Sequence, residues 1–170
     1  MVRKIVTYPH EALAQKANEV DRVDASIQDL ARDMAETMYE NKGIGLAAPQ
    51  VGEPCRLITV DITGSDEQSG LIVLLNPTIV SGSGETENEE GCLSLPGFKG
   101  LVTRYAEVVV KGLDTEGEEQ TIEADGLLAV CLQHEIDHLE GCLLLDRVGR
   151  LKRKMYERKV KKSQSEEATS

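Results

Sequence analysis

The sequence predicts an α+β domain in which antiparallel sheets surround a central buried helix. Strand-like runs follow one another through the middle of the chain with short turns between them, which favours antiparallel pairing over repeated βαβ units. Two helical segments bracket these runs. The second is apolar on nearly every side, a pattern that belongs to a buried helix.

The first helix is expected from about Ser26 to Asn41. Asp24 or Ser26 can cap it, Ile27, Leu30, Met34 and Met38 form its apolar stripe, and Gly43 lies just past its end. The stretch GIGLAAPQVG is too rich in Gly and Pro to continue that helix. Strands are expected at 55–62, 71–76 and 77–82, the last running into an acidic turn, GETENEE. The runs 104–114 and 119–126 read as a hairpin about Thr115-Glu116-Gly117. The central helix spans Gly126 to Glu140, with Asp125 as its cap and Gly141 as its stop. Leu127, Val130, Cys131, His134 and His138 share one of its faces, while Leu128, Leu132, Ile136 and Leu139 cover the other. Helical spacing returns from Arg147 to Lys162, with Val148, Leu151, Met155 and Val160 available to dock. The domain boundaries that follow are 1–146 for a catalytic domain, 147–162 for a basic helix and 163–170 for a polar, disordered tail.

With 170 residues, the chain suffices for one domain with a substantial core. A single Phe and no Trp leave that core to Val, Ile, Leu, Ala and Met. No apolar run approaches the roughly 18 residues of a spanning helix, and the N-terminus lacks the apolar stretch of a secretory signal. A cytoplasmic location is the expectation, and with it four reduced thiols (Cys55, Cys92, Cys131 and Cys142) rather than disulfides. Charge is uneven. Residues 147–162 carry nine Lys or Arg against the single acid Glu157, a local +8 within a total of −11, so the remaining residues sum to −19.

The sharpest chemical signal is HEIDH at 134–138. Two His at i and i+4 stack on one helix face and can reach one metal ion, and Glu135 projects beside them where it can move a proton. A buried helix cannot leave two imidazoles unpartnered without cost, which favours a ligand role over a chance polar pair. A third ligand is required. Cys131 shares the face but precedes His138 by seven residues, roughly 10 Å along the axis, so it suits the pocket wall. His10 has no supporting pattern. Cys92, in EGCLSLPG, is the better candidate, because Gly91 permits close backbone approach and Ser94 and Pro96 interrupt any regular core strand. In GIGLAAPQVG, which matches neither GxGxxG nor a P-loop, Gly43 and Gly45 would expose backbone to a substrate and Gln50 would offer an amide donor.

In their order, GIGLAAPQ, EGCLS and QHEIDH together closely resemble the signatures of the peptide deformylase family, a likeness that runs over roughly residues 1–150. The resemblance implies that Cys92, His134 and His138 bind one divalent metal ion, Fe(II) first with Zn, Ni or Co as substitutes, and leave a position open to water. It implies that Glu135 is the catalytic acid and base, and that Gln50 and the Leu93 N–H stabilise the oxyanion. Ile44, Gly45 and Gly91 would hold the substrate main chain, and Leu127, Val130 and Cys131 would wall in a methionine side chain. The implied reaction is hydrolysis of the formyl group from N-formyl-methionyl nascent peptides, releasing formate. Some members are similar in ending with a C-terminal helix that docks on the ribosome, a role open to 147–162. The chain departs from many relatives at Leu13-Ala14, where Leu-Arg is common, and Gly97-Phe98-Lys99 takes no role from the resemblance.

Two other readings stand beside this one. An HExxH endopeptidase takes its third ligand downstream of the helix, but no His follows His138 and Glu140 is too near to fold back. A non-catalytic zinc module binding RNA through 147–162 would need four protein ligands, so Cys131 or Cys142 would have to move in.

Overall fold

The computed structural model describes residues 1–169. In chain order its elements are α1 (Ala25–Glu40), β1 (Gly45–Ala47), β2 (Leu57–Val60), the one-turn helix α2 (Gly64–Glu67), β3 (Ile72–Ser83), β4 (Thr86–Cys92), β5 (Leu95–Arg104), β6 (Glu107–Leu113), β7 (Glu119–Asp125), α3 (Gly126–Leu139) and α4 (Arg150–Thr169). A five-stranded antiparallel sheet has the order β1-β2-β3-β6-β7, and β4 and β5 form a separate two-stranded sheet. This is the α+β arrangement expected, with α3 against the large sheet.

The four residues of β2, LITV, are all buried, because helices cover both faces of the sheet there. Leu57 and Leu75 pack with Leu30, Met34 and Met38 of α1, whereas Ile58, Val60 and Leu74 pack with Leu132, Ile136 and Leu139 of α3. Alternate side chains of a strand point to opposite faces, so one strand serves both cores. The Asp24 side chain caps α1 by accepting from the Ile27 N–H, and Gly43 N–H closes the helix end on the Met38 carbonyl. Asp125 occupies the cap position of α3 but makes no side-chain cap hydrogen bond; Gly126, at φ +54°, turns the chain into the helix instead.

Three stretches differ from the sequence reading. Residues 71–76 and 77–82 are one strand, β3, bent at Asn76 (φ +50°), whose side chain bonds both backbone groups of Val20. The expected acidic turn GETENEE is mostly β4. Glu87 and Glu89 face solvent, while Asn88 and Glu90 turn inward, so alternation survives with polar residues on both faces. Ser94 and Pro96 do not prevent a strand. Leu93 and Ser94 make the turn, and between the pairs Cys92–Leu95 and Glu90–Gly100 a single residue, Gly91, faces four, Pro96 to Lys99. That bulge, with Gly97 at φ +76°, absorbs the proline where it need not donate to the ladder.

The C-terminal helix begins at Arg150 rather than Arg147 and continues through Thr169, so residues 163–169 are helical where a disordered tail was expected; Ser170 lies outside the described residues. Nothing in SQSEEAT breaks a helix, and Gln, Glu and Ala favour one. The docking face also differs. Leu151 and Met155 are 75% and 61% exposed, while Tyr156 is buried against Leu95, Phe98, Leu144 and Leu145. The Tyr156 ring meets Phe98 edge-on at 5.1 Å and lies 6.1 Å from Tyr8, and its hydroxyl donates to the Pro96 carbonyl at 3.0 Å.

Tyr156→Ala is therefore expected to destabilise the protein by about 3 kcal/mol or more, and Tyr156→Phe by about 1 kcal/mol. Leu151→Ala and Met155→Ala should stay within about 0.5 kcal/mol of the parent. Urea titration followed by circular dichroism measures all four.

Candidate active site

α3 sets His134 and His138 one turn apart, with ring centroids separated by 5.1 Å. From the end of β4, Cys92 brings its Sγ to 3.4 Å from His138 Nε2. One ligand atom from each of Cys92, His134 and His138 lies within 4.8 Å of the others. Tetrahedral ligands at bond lengths of roughly 2.0–2.3 Å sit about 3.3–3.6 Å apart, so the thiol–imidazole edge fits a single ion. Among the described residues, Cys131 and Cys142 stay outside this group.

Electrostatics separate the two imidazoles. Burial, then the neighbouring His134 charge, holds His138 well below the ordinary imidazole pKa. A ligating imidazole must be neutral, so His138 is ready for an ion, whereas His134 would release a proton on binding one. For His134, burial also opposes charge, but Glu135, Cys92 and Glu90 outweigh it and hold the ring well above its ordinary value. Glu90 Oε1 lies 3.1 Å from His134 Nδ1, which turns Nε2 towards Cys92 and His138. Glu90 is itself clamped by Arg104, whose Nε and Nη2 donate to its two oxygens at 3.0 and 2.8 Å. Arg104 Nη1 donates to Asp137 at 2.6 Å, and Arg147 donates to the same carboxylate twice.

Glu135 points into the site with little room. Burial pushes its carboxyl up to about 7, against the pull of His134. A Cβ placed on Gly45 would collide with the Glu135 carboxylate, so a larger residue there would push that carboxylate from its place. Gln50 is 2% exposed and fixed at both ends of its amide. Its Oε1 accepts from the Ala47 N–H at 3.0 Å, which leaves Nε2 to donate to Ser94 Oγ at 3.1 Å and to approach Cys92 Sγ at 3.5 Å. Burial, with Glu135 adding to it, pushes the Cys131 thiol up to about 12, so it stays protonated beside the site. Among the described residues, three buried side-chain atoms lack a hydrogen-bond partner: Glu135 Oε1, His138 Nδ1 and Asn88 Nδ2. An orphaned carboxylate oxygen next to a thiol and two imidazoles suits a cation and its water.

These groups share one cleft of about 1030 Å³. Ile44, Gly45, Gln50, Gly91, Cys92 and Leu93 line one side, and Leu127, Val130, Cys131, His134 and Glu135 the other. His138, 2% exposed, does not line it but touches Cys92, which does. A Cβ on Gly91 would make only ordinary contacts, so the close approach sought there is needed at Gly45 instead.

The polypeptide deformylase profile matches residues 2–154. The chain belongs to this family. It is 54% identical over 162 residues to a peptide deformylase of Syntrophobacter fumaroxidans, covering 95% of each chain. The crystal structure of a peptide deformylase from Legionella pneumophila superposes with a TM-score of 0.91 at 46% identity, covering 100% of this chain and 99% of that one. A peptide deformylase from Ehrlichia chaffeensis, solved with actinonin, gives 0.89 at 41% identity over 95% and 97% of the two chains. The family match takes in the whole ligand group and the cleft and ends just before Tyr156 of α4.

Sequence reasoning missed the supports around the ligands. Ser94 reads as a strand breaker, yet it is fully buried and holds Gln50. Glu90 and Arg104 carry no apolar signal, and even the β4–β5 register pairs them with other residues, Gly100 and Thr86, so only their side-chain hydrogen bonds reveal that they meet. Phe98 and Lys99, given no role from the sequence, line the cleft.

Two cysteine variants separate ligand from wall. Cys92→Ala should lose the bound metal, whereas Cys131→Ala should keep one equivalent per chain, by elemental analysis of purified protein.

Proposed function

We propose that this chain binds one divalent ion through Cys92, His134 and His138 and uses it to hydrolyse the formyl group from N-formyl-methionyl peptides, giving formate and a free amine. The observation that carries this reading is the meeting of three metal-ligand atoms with an unpartnered Glu135 carboxylate in one open cleft. A thiolate with two imidazoles suits Fe(II), and also Zn, Ni or Co. The bound ion supplies Lewis acidity and lowers the pKa of a water molecule.

The remaining steps fall to the protein. Glu135 takes the proton of the attacking water and passes it to the departing amine, so it needs both protonation states near neutral pH. Gln50, its amide pinned by Ala47, offers Nε2 to the oxygen that gains negative charge, and the Leu93 N–H in the adjoining turn is the second donor. Ile44, Gly45 and Gly91 offer backbone to the peptide, while Leu127, Val130 and Cys131 give its first side chain an apolar wall. Among the described residues no helix is long and apolar enough to cross a membrane, and the free thiols suit the reducing cytoplasm.

Incubation with an N-formyl-methionyl peptide should release formate, and the N-acetyl peptide should not react. Glu135→Gln should keep its metal and lose about two to four orders of magnitude in kcat/KM. Loss of the ion in that variant would contradict the assignment.

Formylated chains emerge at the ribosome, and α4 supplies the means to reach it. Its exposed face carries Lys154, Arg158, Lys161 and Lys162 beside the exposed Leu151 and Met155. Truncation would remove Tyr156 from the core, so charge substitution is the cleaner test. Changing Lys154, Arg158 and Lys161 to Gln should weaken ribosome binding at low salt and flatten its salt dependence by about one unit of slope for each phosphate no longer neutralised. Turnover of a short formyl peptide should change little. Equal ribosome binding by parent and variant in co-sedimentation would remove this role.

A further inference from the structure

Among the described residues that line the cleft, one buried donor has no hydrogen-bond partner and no part in the reaction. It is Nδ2 of Asn88, on β4. A buried donor left unpaired is costly, and natural structures keep few of them.

Its position follows from how β4 runs beside α3. Cys92 meets His138 and Glu90 meets His134. Two residues of strand advance about 6.6 Å and four residues of helix about 6 Å, so the two elements stay in step. One step further back, Asn88 comes level with Val130 and Cys131. It therefore lies along the apolar wall, level with the turn of α3 before His134 and two strand repeats from Cys92. A formyl group at the ligand group would send the adjoining side chain along this wall. Methionine carries its only hydrogen-bond acceptor, the thioether sulfur, at the matching depth.

We propose that Asn88 is a specificity-determining residue, its Nδ2 donating to the sulfur of the formyl-methionine side chain. The inference rests on the deformylase reading and adds a preference to it. An all-apolar pocket separates methionine weakly from an unbranched hydrocarbon of the same length. A donor left unpaired by the wrong side chain penalises that side chain, so an orphan amide improves discrimination.

The probe pair is N-formyl-methionyl and N-formyl-norleucyl peptides of otherwise identical sequence, which differ by sulfur against CH₂. The parent should favour methionine by about three- to tenfold in kcat/KM, the range of one modest hydrogen bond. Asn88→Leu, similar in size and without a donor, should bring the ratio to near one. Asn88→Asp keeps the shape and presents acceptors only, so its ratio should be one or lower even if the leucine variant folds poorly. Calorimetry with the two N-acetyl peptides should show the same order of ratios in Kd without turnover. An unchanged ratio across parent and variants, with formate released from both peptides, overturns the role of Asn88. No formate from either peptide overturns the deformylase reading itself.

Discussion

The buried contact between Glu90 and Arg104 is the constraint on which the site depends. Their side chains are 7% and 3% exposed, and each is bound twice by the other. Two charges removed from water at this depth are tolerable only as a pair with their remaining hydrogen bonds filled, and a stranded partner costs about 3–5 kcal/mol. Each filled bond here fixes another element. Glu90 orients His134 on α3, and Arg104 reaches Asp137 on the same helix. Asp137 then anchors Arg147 at the approach to α4. The small sheet is thereby tied to α3 at two levels, and Cys92 arrives beside His138 because Glu90, two residues earlier, is already fixed.

The same network explains why neighbouring groups differ in charge. His134 lies among Glu135, Glu90 and the Cys92 thiol, whereas His138 meets burial and the positive charges of His134 and Arg104. Helical spacing makes the two imidazoles alike as ligands, and the surroundings make them unlike as bases. Glu135 is pushed up by burial to about 7 even with His134 pulling the other way. Its carboxyl can therefore exchange a proton near neutral pH, which a solvated glutamate would not do. Cys131, a turn away, is pushed in the same direction to about 12 and remains a neutral wall.

How far the sequence could be read varied with the kind of residue that carried the information. α3 was legible because its apolar pattern, its stopping glycine and HEIDH all lie in one continuous segment. The meeting of Cys92 with His134 and His138 was legible as far as spacing and reach could argue. β4 was not, since its inward residues are Asn88 and Glu90, and their place is fixed by Arg104, His134 and the cleft rather than by hydropathy. α4 misled by one residue. Of the expected Val148, Leu151, Met155 and Val160, the two valines do pack inward, but the helix turns Tyr156 inward in place of Leu151 and Met155, a rotation of about 100° per residue of offset. Tyrosine wins there because its ring finds Phe98 and Tyr8 while its hydroxyl finds a carbonyl, and Met155 has no such second contact.

That rotation places the basic helix and the cleft in mechanical contact. Pro96 to Lys99 bulge from β5 because Gly91 alone opposes four residues, and this bulge has two sides. Towards the cleft it presents Pro96, Gly97, Phe98 and Lys99. Towards α4 it presents the Pro96 carbonyl to the Tyr156 hydroxyl and the Phe98 ring to the Tyr156 edge, with Lys152 Nζ 5.9 Å from that ring. The contacts that hold the bulge come from α4, and the turn that carries Leu93 and Ser94 closes at Leu95, the residue just before it. The C-terminal helix is thus part of the wall that shapes the site, while residues it leaves in solvent away from the bulge, Leu151, Lys154, Met155 and Arg158, are the ones available to a partner.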